Sequence, residues 1–212
     1  MIRRLITAAA CAALAACGGG GSADVPDAQG LTRRAAETVL VVGDSTMTPV
    51  YPGERSTPDY VADLTGAAVT YLAVPGTVAC QADVAAIRAA HADIVTANYA
   101  LNDAVRAEGR QYEPCLRAIA AAAADAGSVL ILVESNPVIE DSDPAGWHVM
   151  SEWGRQQLEA IKRRVAVDVG AMYCALPTRA WTYTDTPDRV HPTTRAKRFV
   201  AGAVATCIGK AL

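Results

Sequence analysis

From residue 38 onward, apolar positions fall into short continuous runs separated by longer stretches in which they recur every three or four places. That alternation is the pattern of buried strands interleaved with amphipathic helices. Runs at 38–42, ending at Gly43, and at 67–74, ending at Pro75-Gly76, predict two buried strands. Runs at 92–98 and 128–133 predict a third and a fourth, following helical stretches over about 79–90 and about 114–126. A long amphipathic segment over about 145–167 leads to a fifth run at 171–174, and a last helix begins near Pro192 and reaches the C-terminus. Strand and helix in this order predict an α/β fold: a five-stranded parallel sheet covered by helices on both faces and joined by right-handed crossovers. In such a sheet a ligand meets the protein beyond the carboxyl ends of the strands. Residues that carry chemistry are therefore sought directly after strands one, two, three and five.

The first 36 residues follow a different pattern. Arg3 and Arg4 precede an apolar stretch over 5–16, the charged start and short hydrophobic region of a secretory signal. The stretch closes on Leu14-Ala15-Ala16-Cys17, which resembles the bacterial lipobox, in which the cysteine is diacylated before cleavage. This divides the chain into a signal over 1–16, a lipidated Cys17 with a Gly-rich tether over 17–36, and a globular domain over 37–212. Gly18 after that cysteine resembles sorting to the outer membrane, and the sequence leaves open which face of it.

Composition narrows the picture further. With 51% apolar and 19% charged residues the chain can build one sizeable core. A net charge of −3 without a basic run lacks the electrostatic footprint of nucleic-acid binding. No apolar run reaches the roughly 18 residues of a spanning helix, so the expected membrane contact is the lipid alone. Setting aside Cys11 in the signal and Cys17, four cysteines remain in an exported domain: Cys80, Cys115, Cys174 and Cys207. Two disulfides are expected, with three possible connectivities. Pairing Cys80 with Cys115 and Cys174 with Cys207 joins neighbouring elements. Each pair closes a loop of about 35 residues, for which chain entropy gives about 3–4 kcal/mol of stabilisation. No Cys-x-x-Cys or His-x-x-x-His pairing suggests a metal site.

The positions after the strands carry a coherent chemistry. Strand one runs into Gly43-Asp44-Ser45-Thr46, where a serine past a tight turn points its hydroxyl into the crevice. Near the C-terminus, Asp188-Arg189-Val190-His191-Pro192 sets an acid three residues before a histidine, on one side of a turn, with the proline suited to the first turn of the helix that follows. These are the parts of an activated nucleophile: Ser45 attacks, His191 takes its proton and Asp188 orients the imidazole. Acyl transfer also needs donors for an oxyanion. The Ser45 and Gly76 N–H groups and the Asn102 amide are placed to supply them, at about 2.7–4 kcal/mol of transition-state stabilisation each.

Taken in order, Gly43-Asp44-Ser45, Gly76, Asn102 in Ala100-Leu101-Asn102-Asp103, and Asp188-x-x-His191 resemble the SGNH (GDSL) hydrolase family over about 150 residues. Two positions depart from its pattern: Thr46 stands where many members carry Leu, and Ala100 where the third block usually has Gly. The first is expected to bear on packing, the second on how the loop presents Asn102. The resemblance implies a flavodoxin-like three-layer α/β/α sandwich, no metal or organic cofactor, and ester or thioester hydrolysis through an acyl-enzyme.

An α/β-hydrolase shares the Ser, Asp, His order but needs a Gly-x-Ser-x-Gly elbow, and Met47 occupies the place of the second glycine. The expected substrate is a small-molecule or glycan ester. The chain has no sizeable insertion resembling a lid, which favours a short acyl group such as acetyl on a carbohydrate. A lysophospholipase or thioesterase of the same family is the second reading. A non-catalytic surface lipoprotein on the same scaffold is the third. Oligomeric state is open. Asp44 and Asp103 are expected to serve loop N–H groups. His91 and His148 are expected to be satisfied locally, with His148 a candidate border of the crevice, while Trp147, Trp153, Trp181 and Tyr183 line a groove or pack in the core.

Overall fold

The computed structural model describes residues 35–106, 111–139, 152–177 and 181–212. The leader, Cys17 and all of the tether before residue 35 lie outside the described residues, as do Trp147 and His148.

Five strands form one parallel sheet: β1 (Thr38–Gly43), β2 (Ala68–Ala73), β3 (Ile94–Asn98), β4 (Val129–Val133) and β5 (Met172–Cys174), in the order β2-β1-β3-β4-β5. Among the described residues six helices accompany them: α1 (Thr57–Thr65), α2 (Val84–Ala90), α3 (Leu101–Val105), α4 (Tyr112–Asp125), α5 (Glu152–Val169) and α6 (Thr194–Ala211). Alternation along the strands builds two cores. Leu40, Val42, Val95, Ala97, Leu130 and Leu132 face α2, α4 and α5, whereas Val39, Val41, Ile94, Ile131 and Val133 face α1 and α6. The α/β/α expectation describes the molecule.

Four details differ from the sequence reading. β2 is an edge strand with Ala68, Thr70 and Tyr71 exposed, because its apolar residues cover only one side of an open sheet margin. The continuous helix expected over 79–90 is a 3-10 turn (Ala79–Gln81) followed by α2, whose start is capped by Asp83 accepting from the Ala86 N–H. α1 was not foreseen. A reciprocal capping box between Ser56 and Asp59 starts it, and Gly66 in the left-handed region ends it. Pro192 precedes the N-cap Thr193 and so lies outside the first turn of α6.

Disulfides join Cys80 to Cys115 and Cys174 to Cys207. The first ties the 3-10 turn to α4, and the second ties β5 to α6, the helix that follows His191.

Candidate active site

β1 ends at Gly43, where a Cβ would stand 3.0 Å from the Asn98 carbonyl oxygen of the neighbouring strand and 3.0 Å from Met47 Cγ. Only glycine lets the two strand ends approach this closely. The chain then turns, with Met47 N–H donating to Asp44 O and Thr48 N–H to Ser45 O, which brings Ser45 to the carboxyl edge of the sheet. Asp44 is buried and its Oδ1 accepts from the Thr46 N–H (2.9 Å) and hydroxyl (2.8 Å). Burial pushes its carboxyl up against the opposing pull of these bonds. Thr46 is buried in this turn. Its buried hydroxyl also lies 3.2 Å from Asn98 Oδ1, so it ties the turn to β3 by hydrogen bonding.

The structure brings Ser45, His191 and Asp188 together. Ser45 Oγ is 2.8 Å from His191 Nε2, and His191 Nδ1 is 2.6 Å from Asp188 Oδ2. An ionised carboxylate only accepts, so Nδ1 carries the proton and Nε2 presents a lone pair to the serine hydroxyl. The other carboxylate oxygen accepts from the His191 N–H (2.7 Å) and the Val190 N–H (3.1 Å). Burial raises the Asp188 carboxyl, but these bonds from the His191 ring and from the His191 and Val190 backbone outweigh it and bring it down to about 2. The Tyr51 phenol, in turn, is pushed up to about 12 by burial and then by the Asp188 charge.

Gly76 sits in a turn after β2 with φ of 75°, a conformation that favours glycine. Among the described residues, neither the Ser45 nor the Gly76 backbone N–H donates to a protein acceptor. The Asn102 amide is less free: Nδ2 donates to Thr77 O at 3.0 Å and lies 3.4 Å from Asp44 Oδ2. The methyl of Ala100 is fully buried in the core, and Ala100 stands at the N-cap of α3, so Asn102 is presented from the first turn of that helix rather than from a loop. Asp103 receives the Ala79 N–H on Oδ1 (2.9 Å), while its Oδ2 has no partner. Burial raises its carboxyl to about 6, the Ala79 bond opposes this, and the charge of Asp44 adds to it.

The remaining aromatic and histidine candidates lie in separate settings. Trp181 packs edge-on against Phe199 at 6.0 Å beside the α6 core. Trp153 is largely exposed on α5, and Tyr183 is partly exposed with the Arg189 guanidinium 5.9 Å from its ring centre. His91 ends α2 with its ring 3.4 Å from the Ala126 carbonyl.

Sequence reasoning missed a buried polar layer behind these residues. Asn98, Ser135, Asn136, Glu159 and Lys162 are all 2% exposed or less. Lys162 Nζ donates to Val133 O (2.8 Å) and Glu159 Oε1 (2.7 Å), and Ser135 N–H donates to the same Glu159 oxygen (3.0 Å). The available signal was the spacing of Glu152, Arg155, Glu159 and Lys162, one charged stripe along a helix. Such a stripe ordinarily marks the solvent face.

No protein-family model matches the chain, and no curated protein matches it. Solved structures do. A candidate SGNH hydrolase from Slackia heliotrinireducens is 21% identical over 81% of this chain and 98% of its own, with a TM-score of 0.66. A carbohydrate acetylesterase from Sinorhizobium meliloti is 14% identical over 83% and 100%, with a TM-score of 0.67. An aryl esterase from M. smegmatis is 16% identical over 84% and 100%, with a TM-score of 0.68. At these identities the likeness is one of fold, and the chain carries the three-layer α/β fold of SGNH hydrolases.

Proposed function

We propose that the protein is an exported, lipid-anchored serine esterase that removes short acyl groups, acetyl foremost, from carbohydrate by way of an acyl-enzyme. The observation that carries this reading is the continuous contact from Ser45 Oγ through the His191 ring to Asp188, at 2.8 and 2.6 Å. On this reading His191 Nε2 takes the Ser45 proton as Oγ attacks the ester carbonyl, and Asp188 faces the imidazolium that forms. The same proton then leaves with the alcohol, and water repeats the sequence on the acyl-serine. The unengaged N–H groups of Ser45 and Gly76 receive the oxyanion. Asn102 joins them by giving up its long 3.4 Å contact to Asp44 while keeping the Thr77 bond.

Fold likeness to a carbohydrate acetylesterase and the lack of a lid-like insertion support a short acyl group and a sugar alcohol. A fluorophosphonate probe tests the nucleophile. The folded protein should be labelled on Ser45 and the Ser45→Ala variant should not; an unlabelled folded protein favours the non-catalytic lipoprotein instead. Aryl esters of two and eight or more carbons test the acyl length, and a strong preference for the longer ones favours the lysophospholipase or thioesterase reading. For the anchor, mass spectrometry of the mature N-terminus should find a diacylated Cys17.

A further inference from the structure

The turn that carries His191 needs to be held from outside itself. Arg189, a non-glycine residue, sits at φ of 73° in the left-handed region between Asp188 and His191. Its neighbours' bonds are mostly local: Arg189 N–H donates to Thr186 O, and the Asp188 carboxylate caps Val190 and His191. Two bonds reach the carbonyls of this turn from the segment after β4. Asn136 Nδ2 donates to Val190 O at 2.9 Å, and Ile139 N–H donates to Arg189 O at 3.2 Å. Val138 from the same segment packs with Val190 and Leu101.

That segment is itself clamped by one face of α5. Glu159 accepts the Ser135 N–H, Arg155 donates to Ser135 O (3.0 Å), Glu152 accepts the Val138 N–H (2.9 Å), and Lys162 donates to Val133 O. Positions 152, 155, 159 and 162 repeat at intervals of three and four, so a single helix face makes every contact. We propose that Asn136 is a positioning residue for His191: its amide holds the Val190 carbonyl so that Nε2 meets Ser45, and the charged face of α5 holds Asn136 in place. This rests on the esterase reading only for its kinetic consequence, since the placement of the ring can be read without turnover.

Two variants test it. Asn136→Ala removes the amide, and Asn136→Asp keeps its shape while losing the donor. Both should lower kcat about 10- to 100-fold with KM within about twofold, the range seen when a catalytic group is slightly misplaced. The far-downfield proton resonance of the His191 Nδ1–H in its bond to Asp188 should broaden or disappear in both. In an Asp188→Asn background the added loss from Asn136→Ala should fall to less than about threefold, because both changes act through one ring. The proposal is overturned if Asn136→Asp keeps both full kcat and the resonance. It is also overturned if the losses from Asn136→Ala and Asp188→Asn multiply in full. If the unaltered protein shows no esterase activity but its resonance responds to Asn136→Asp, the enzyme reading fails and the positioning stands.

Discussion

On the proposed reading, Ser45 hands its proton to an imidazole whose Nε2 is bare, and the Asp188 carboxylate beside Nδ1 keeps the ring proton on the far nitrogen. Asp188→Asn keeps the shape but offers an amide donor to Nδ1, which favours the wrong tautomer. The expected result is a loss of kcat on the order of 10³- to 10⁴-fold with KM little changed, measured on a short aryl ester. Gly43 tests the approach of the strand ends. In Gly43→Ala the new methyl meets the Asn98 carbonyl at 3.0 Å, and backbone cannot swing aside as a flexible side chain can. Thermal or urea unfolding should show a loss of about 1–3 kcal/mol, together with reduced activity because Ser45 lies two residues on. An unchanged midpoint would mean that the turn has room to relax. At this scale the grouping of Ser45, Asp188 and His191 was legible, because the side chains that acyl transfer demands stood in order in the sequence, Ser45 directly after β1 and the other two in the loop between β5 and α6. Asn98, Ser135 and Asn136 were not, because a small polar residue after a strand more often caps or turns the chain.

Among the elements, α6 follows His191 in the chain, and its start is fastened by a buried pair. Lys197 is fully buried, and Glu54, from the loop after Ser45, accepts from its ammonium group and from the Thr194 N–H (3.0 Å) at the helix start. Burial pushes the Glu54 carboxyl up, but the Lys197 bond and the backbone donors prevail and hold it below its ordinary range. Glu54→Gln can still accept the Thr194 N–H but leaves the Lys197 charge buried without a counter-charge. A destabilisation of about 3–5 kcal/mol is expected. Replacing both, as Glu54→Gln with Lys197→Met, should restore most of it, because the cost lies in the orphaned charge. If the double variant were no more stable than the single, shape rather than charge would be the cause. The pair was hidden because Glu54 and Lys197 are separated by 143 residues and each sits among other polar residues. α1 was hidden for another reason: its nine residues bury only four side chains, too few for periodicity to show, although the Ser56 and Asp59 cap was present in the sequence. The central strands β1, β3 and β4, in contrast, declared themselves through continuous runs rich in Val, Ile and Leu that a two-sided sheet buries.

For the whole molecule, the carboxyl edge of the sheet gathers acidic groups whose responses to pH oppose one another. Asp188 is held near 2, so the stability it lends is present above its ordinary value near 4 and is lost as pH falls toward 2. Asp103 runs the other way. Its folded value of about 6 lies above the ordinary 3.8, so the native state binds a proton that the unfolded chain releases. The resulting penalty is complete above about pH 6 and disappears as pH falls through 4. The shift corresponds to roughly 3 kcal/mol. Asp103→Asn can keep the acceptor that receives the Ala79 N–H but has no charge to bury. Urea unfolding of the two proteins from pH 4 to 8 should show the variant gaining on the parent as pH rises, by about 2–3 kcal/mol across that window and most steeply between 4 and 6. A constant difference at every pH would mean that Asp103 ionises as freely inside the fold as outside. A second carboxylate bears on the outcome, because the neighbouring charge of Asp44 is among the causes that raise Asp103. Asp44→Asn should therefore shift the Asp103 transition to lower pH, and the combined variant should lose the part of the dependence that comes from this pair.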